Sequence, residues 1–134
     1  MFGSFDISAS ALTAQRVRLD TITSNIANIH SVKDEAGRNV PYRRLYPVFQ
    51  AQAMADGRVG VAVKKIEQDA SDFRKAYEPW NTEIADKDGY VYYPNVSLST
   101  EQINAIETSR AYEANITAIE TTKSMMSATL RVLG

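Results

Sequence analysis

With 134 residues the chain is sized for one domain with a modest core, or for one extended object; a second independent domain would be cramped. Its 15 basic and 16 acidic side chains leave a net charge of −1 mixed along the chain, so no field of one sign draws nucleic acid or an anionic membrane. Cysteine is absent, which removes disulfides, thiolate zinc sites and thiol catalysis together and leaves the redox compartment open.

The first stretch, MFGSFDISASALTAQRVRLD, has no basic segment before an apolar one, and no run approaches the ~20 apolar residues that a membrane span needs. The expectation is a chain without a membrane span which, if it leaves the cytoplasm, does so without a cleaved secretory signal of the usual kind. From Phe5 the apolar residues Leu12, Leu19 and Ile26 recur at heptad spacing, with Ile22 and Ile29 three places after the last two. This predicts an N-terminal helix within residues 1–31, with Asp6 as N-cap and Ser4 competing for that place. Ser8 and Gln15 interrupt the seam, so the helix needs tertiary or intermolecular partners. It should end between Asn28 and Ser31, where HSVKDEAGRNVP brings charges, a glycine and a proline.

The middle, residues 32–98, holds all the prolines and Gly37, Gly57, Gly60 and Gly89, and reads as short strands joined by turns. GRVGVAVKKI alternates Val59, Val61 and Val63 with small or charged neighbours; DFRKAY and GYVYYPNV are strand-prone. Six of the seven tyrosines and Trp80 fall here, which we read as ordinary packing ahead of an adhesive surface.

A C-terminal helix over residues 99–134 follows. In LSTEQI, Ser99 fits the N-cap and Gln102 the third position of a capping box, with Leu98 and Ile103 as a hydrophobic staple. Beyond it Tyr112, Ile116, Ile119, Met126, Leu130 and Leu133 form one apolar stripe, and Ala111, Ala114, Ala118, Met125 and Val132 a second beside it. One partner helix covers one stripe. The middle is too small to cover the other along a helix of this length, so the alanine-rich face is expected to meet another molecule. The fold class that results is α+β, with long terminal helices paired as an antiparallel, coiled-coil-like hairpin around a small β-rich middle.

Catalytic chemistry finds little support. His30 is the only histidine and stands where the first helix ends, a place that suits the C-terminal dipole better than a triad. Asp86-Lys87-Asp88-Gly89 lacks the remaining ligands of a calcium loop and reads as a turn, and GRVG lacks the lysine and helix of a phosphate loop. Asn25 and Asn28 share a helical face outside the apolar seam; their amides are either solvated or bonded to backbone or a neighbouring helix, fixing its register.

The stretch LTAQRVRLDTITSNIANI, residues 12–29, resembles the N-terminal signature of the flagellar axial proteins, the rod, hook and hook-associated family. PYRRLYPVF at 41–49, GYVYYPNVSLSTEQI at 89–103 and SRAYEANITAIETTKSMM at 109–126 are similar to its proximal-rod branch. HSVKDEAGRNV after SNIANI, and Trp80 and Asn81 in YEPWNTEIA, depart from the family's usual pattern. The resemblance implies a structural subunit, not an enzyme, with no cofactor and no metal. It implies export through the flagellar type III apparatus, assembly in the periplasm with other copies and neighbouring rod proteins, and a hollow shaft that transmits torque and passes exported proteins. It also implies that Leu12, Leu19, Ile22 and Ile26 pair within the subunit with Tyr112, Ile116, Ile119, Met126 and Leu130. Asn25, Asn28, Ala111, Ala114, Ala118, Met125 and Val132 would then meet neighbours. A soluble helical-hairpin adaptor or secretion chaperone is the alternative that composition and periodicity allow.

Overall fold

The computed structural model describes residues 2–134. Helix α1 spans Phe2–Ala27 and helix α2 Leu98–Leu133; between them lie β1 (Leu45–Ala53), β2 (Val59–Gln68), β3 (Arg74–Tyr77) and β4 (Tyr90–Tyr93). The helices pack antiparallel, with two small two-stranded sheets, β1-β2 and β3-β4, in the middle, which is the expected α+β class. The chain divides into two compact units. One contains the residues up to Asp20, Pro47–Ile66 and Ala105–Gly134; the other contains Thr21–Tyr46 and Glu67–Asn104.

In the first unit Arg18 on α1 reaches Glu107 on α2 at 3.9 Å. The β1-β2 ribbon meets α1 at Ser10, whose hydroxyl donates to the Ile7 carbonyl at 2.7 Å and accepts from the Val61 amide at 3.2 Å. Gly60 is buried at this crossing. A Cβ there would overlap the Met54 methyl and stand 2.8 Å from Ser10 Oγ. Gly60→Val is therefore expected to overpack the contact at a cost of about 1–3 kcal/mol, read as a lowered urea midpoint with an unchanged slope. A midpoint equal to that of the parent chain would show that the ribbon does not bear on α1.

In the second unit β3 pairs antiparallel with β4 in the register Arg74 to Tyr93, Lys75 to Tyr92, Ala76 to Val91 and Tyr77 to Tyr90. Side chains alternate across a strand, so Val91, fully buried, shares the inner face with Ala76 and the half-buried Tyr93. The outer face carries Tyr77 and Tyr90, tilted rings 5.3 Å apart, and Tyr92. Packing is thus only part of the aromatic story: Trp80 is 76% exposed and Tyr77 61%, against the expectation of burial.

One turn geometry recurs. In Asp34–Arg38, Met54–Arg58 and Asp86–Tyr90 the first amide donates to the fifth carbonyl at 2.8–3.0 Å, and the fourth-position glycine donates back to the first carbonyl at 3.0–3.1 Å. Those glycines, Gly37, Gly57 and Gly89, have φ of 78°, 83° and 85°, the left-handed residue that closes a type I turn with a bulge. Asp86-Lys87-Asp88-Gly89 is a turn, as read.

Asp34 and Asp86 open two of these turns and cap them. Asp34 Oδ1 accepts from the Arg38 and Ala36 amides, and Asp86 Oδ1 from those of Tyr90 and Asp88. The Arg38 and Tyr90 amides, respectively, are the leading cause holding each carboxyl below its ordinary value of 3.8. Because the folded value is depressed, the stabilisation is complete above the unfolded value and is lost as pH falls through the folded one. Asp86→Asn keeps an acceptor without the titration. The variant should lose part of the acid dependence of unfolding below pH ~4, and acid profiles identical to the parent's would contradict this account.

Three boundaries differ from the sequence reading. Helix α1 already runs from Phe2, so Ser4 and Asp6 lie inside it and neither is its N-cap. Helix α2 starts at Leu98 with Ser97 as its cap: the Thr100 amide points to Ser97 Oγ at 3.5 Å, and the Glu101 amide donates to the Ser97 carbonyl at 2.9 Å. The buried Pro94 and Val96 anchor the approach to α2, and the proposed staple is not made, because Leu98 and Ile103 are both exposed. Strand β1 was not anticipated. Pro47 in its interior argues against a central strand, and the ribbon has only two strands, so an outer edge is available for it.

Candidate assembly surface

The polar residues of the N-terminal signature are folded inward. Asn25, 1% exposed, pairs with both backbone groups of Leu45: its Nδ2 donates to the Leu45 carbonyl at 2.8 Å, and its Oδ1 accepts from the Leu45 amide at 2.9 Å. The same Oδ1 accepts from the Tyr42 hydroxyl at 2.9 Å, and Nδ2 lies 3.4 Å from Glu101 Oε2. Glu101 is fully buried on α2 and takes the Arg44 Nε–H at 2.5 Å; Arg44 Nη1 also approaches Asp69 Oδ2 at 3.4 Å. Hydrogen bonds from Ser71 and the charge of Arg44 hold the Asp69 carboxyl below the usual range. Asn95 joins the set, accepting from the Arg44 amide at 2.8 Å and donating to the Asp69 carbonyl at 3.0 Å. Asn28 turns back on its own helix, donating to the Ser24 carbonyl at 2.9 Å and accepting from Ser31 Oγ at 3.0 Å.

This corrects the placement of Asn25 at contacts with neighbours: it is buried inside its own chain, on backbone and on the partner helix. Asn28 is half-buried and bonds the end of α1. Sequence reasoning missed Arg44, Asp69, Asn95 and Glu101 altogether; the one available hint was a glutamate at the start of a helix, which reads equally as a dipole partner.

Of the residues expected to pair the helices, Ile22 is buried, and Leu12, Leu19, Ile26, Tyr112, Ile119 and Met126 are half-buried. Ile116 and Leu130 are exposed instead, a second correction. Between Tyr112 and Ile119 the inward position is Asn115, and between Ile119 and Met126 it is Thr122; both are half-buried. Each is satisfied by its own helix, Asn115 Nδ2 on the Ala111 carbonyl and Thr122 Oγ1 on the Ala118 carbonyl, both at 2.9 Å. That back-bonding removes most of the cost of turning a polar side chain inward. Leu130 is exposed for a simpler reason. With Arg18 opposite Glu107, an antiparallel α1 reaches only to about residue 123 of α2 before it ends.

Of the second stripe, Ala111 is half-buried, whereas Ala114, Ala118, Met125 and Val132 are exposed. Of the 36 residues of α2 only Glu101 and Thr108 are buried, and Ile103, Ile106, Ile116, Met125, Leu130, Val132 and Leu133 all face solvent. Apolar residues left exposed along a helix of this length make it a candidate contact surface. Among the described residues no group of three or more His, Cys, Asp or Glu side chains is placed to hold a metal ion, and no helix is long and apolar enough to cross a membrane. His30 stands exposed in the turn after α1.

Comparison with known proteins gives the surface a context. Residues 5–30 match the family model described as flagella basal body rod protein, and residues 87–132 match that of the flagellar basal body rod FlgEFG protein C-terminal region. The chain is similar to the flagellar basal-body rod protein FlgC of Bacillus subtilis, 39% identical with 98% of this chain and 97% of the relative covered. It is similar also to that of Escherichia coli O157:H7, 46% identical over 94% and 92%, and to that of Borreliella burgdorferi, 37% identical over 99% and 97%.

Proposed function

The chain belongs to the flagellar basal-body rod protein family, and on that footing we propose that it is a structural subunit of the proximal part of the rod. The subunit passes through the flagellar type III export apparatus and assembles in the periplasm with copies of itself and with neighbouring rod proteins. The product is a hollow shaft that transmits torque and lets exported proteins through. In this reading residues 1–31 and 99–134 form the inner-core region and residues 32–98 the β- and turn-rich middle. Ala111, Ala114, Ala118, Met125 and Val132 meet neighbouring subunits.

The observation that carries the reading is α2 itself, a 36-residue helix with two buried residues in the isolated chain. A surface of that kind is costly in a free monomer and useful in a polymer, where each added subunit covers the last one. A shaft also needs no reacting group; its stiffness comes from close packing. The name shared by the relatives describes a structural protein, which agrees with a chain that acts by assembly and not by catalysis.

The test uses Ala118→Trp. Ala118 is exposed, so the large ring fits in the free chain but should block the approach of a neighbouring helix. In a motile host whose own copy is deleted, the parent chain should restore rods and swimming, and the variant should fail while still being produced and exported. Full motility with the variant would remove this face from the assembly. A deletion host that swims without any copy would remove the rod reading itself.

A further inference from the structure

On the outward sector of α1 in the first unit stand Asp6, Ala9, Thr13, Arg16 and Asp20, all exposed and three or four residues apart. On the side of α2 away from Tyr112, Asn115 and Ile119 stand Arg110, Glu113 and Glu120, with Ile116 on its flank, again all exposed. Among the described residues no ion pair engages Asp6, Arg16, Asp20, Arg110 or Glu113. Both surfaces point away from the α1–α2 seam. Within the chain, therefore, they never meet.

We propose, building on the rod reading above, that the outward face of α1 seats antiparallel on the outward face of α2 of a second copy, with Asp20 on Arg110 and Arg16 on Glu113. The two pairs share one register. From Asp20 back to Arg16 is four residues on α1, and from Arg110 forward to Glu113 is three on α2, so the two opposite-charge pairs fall within one turn of each other. The same register sets Thr13 against Ile116 and Ala9 against Glu120, so that an exposed isoleucine meets the small residues of α1, which admit close approach. Charges at the edge of such a contact select its register and exclude others more than they add affinity.

The direction is also the one a polymer requires. When copies share one orientation, α1 of one copy necessarily runs antiparallel to α2 of the next, as it does within each chain. Inside the chain Arg18 stands opposite Glu107, which puts Arg110 opposite about residue 15; in the proposed contact it meets Asp20. The neighbour is thus displaced along the helix axis by about five residues, or roughly 7 Å. A nonzero displacement makes the contact head-to-tail, the kind that extends a filament and does not close a dimer.

The cysteine-free chain makes the test direct. Ala9→Cys with Glu120→Cys, expressed in the deletion host, should yield crosslinked dimers and higher ladders from isolated basal bodies on mild oxidation. Ala9→Cys with Glu113→Cys, two helical turns out of register, should yield at least tenfold less, since this separation exceeds the reach of a disulfide. Arg110→Glu should reduce incorporation into rods on the order of tenfold, and adding Asp20→Arg should restore it, because like charges become opposite again. Crosslinking that is equal for both cysteine pairs, or a charge swap that fails to rescue, overturns the register while motility of the complemented host keeps the rod reading intact. Motility of the host with no copy overturns the rod reading whatever the crosslinks show.

Discussion

Replacing Arg44 with methionine is expected to cost about 3–5 kcal/mol of folding stability, a large share of the ~5–15 kcal/mol that holds a domain of this size together. The reason is what it leaves behind. Glu101 is fully buried, and its carboxylate receives the Arg44 Nε–H at 2.5 Å; the Asn25 amide, at 3.4 Å, is a weak second donor. Without the guanidinium a buried negative charge loses its counter-charge in a setting that cannot hydrate it. Arg44→Lys should recover part of the loss and not all of it. One ammonium does not reproduce the fork that reaches Glu101 with Nε and Asp69 with Nη1.

The companion variant decides the interpretation. Arg44→Met combined with Glu101→Leu removes both charges and should lie much closer to the parent, because the attraction between buried charges roughly repays their lost hydration. The measurement is a double-mutant cycle from urea midpoints on the purified chain. A double variant as unstable as the sum of the single ones would mean that the two groups act separately, and the account of the ion pair would fall.

What the sequence could reveal follows the reach of each interaction. The heptad of Leu12, Leu19 and Ile26 and the alternation of Val59, Val61 and Val63 are local patterns, and the helix and the strand appear where those patterns lie. The burial within α1 was harder to read. Ala14, Thr21 and Asn25 are more deeply buried than the leucines, because α1 packs against other parts of its own chain on more than one side and small residues take the closest approach. The start of α2 was misplaced by one or two residues because Pro94 and Val96 anchor the chain before it, and this depends on tertiary burial that no capping pattern encodes. Asn25 is the sharpest case. Its presence in a signature was visible, but its partners, Leu45 and Glu101, are 20 and 76 residues away. The exposed stripe of Ala114, Ala118, Met125 and Val132 was legible for the opposite reason: it depended on what the short middle could not cover, and counting residues suffices for that.

Asn25→Asp, a change of one amide to one carboxyl, is expected to cost about 3 kcal/mol or more at neutral pH, and to do so in a pH-dependent way. The amide now serves as a strand would, donating to the Leu45 carbonyl and accepting from the Leu45 amide, with Tyr42 as a further donor. An ionised carboxyl keeps the acceptor and loses the donor. It strands the Leu45 carbonyl and places a second negative charge beside Glu101 Oε2. Both effects raise the folded pKa of the new carboxyl above its unfolded value of about 3.9. The protonated form, which can donate again, is therefore favoured in the folded state: the penalty is smallest below about pH 3.9, grows as pH rises from there, and levels off above the folded pKa. Asn25→Ala loses the same bonds without a charge, so its cost should stay nearly constant relative to the parent over that range. Unfolding curves of the three chains from pH 4 to pH 8 separate the cases. If Asn25→Asp and Asn25→Ala run parallel, the charge of Glu101 does not reach Asn25, and the pair at 3.4 Å is a neighbour without consequence.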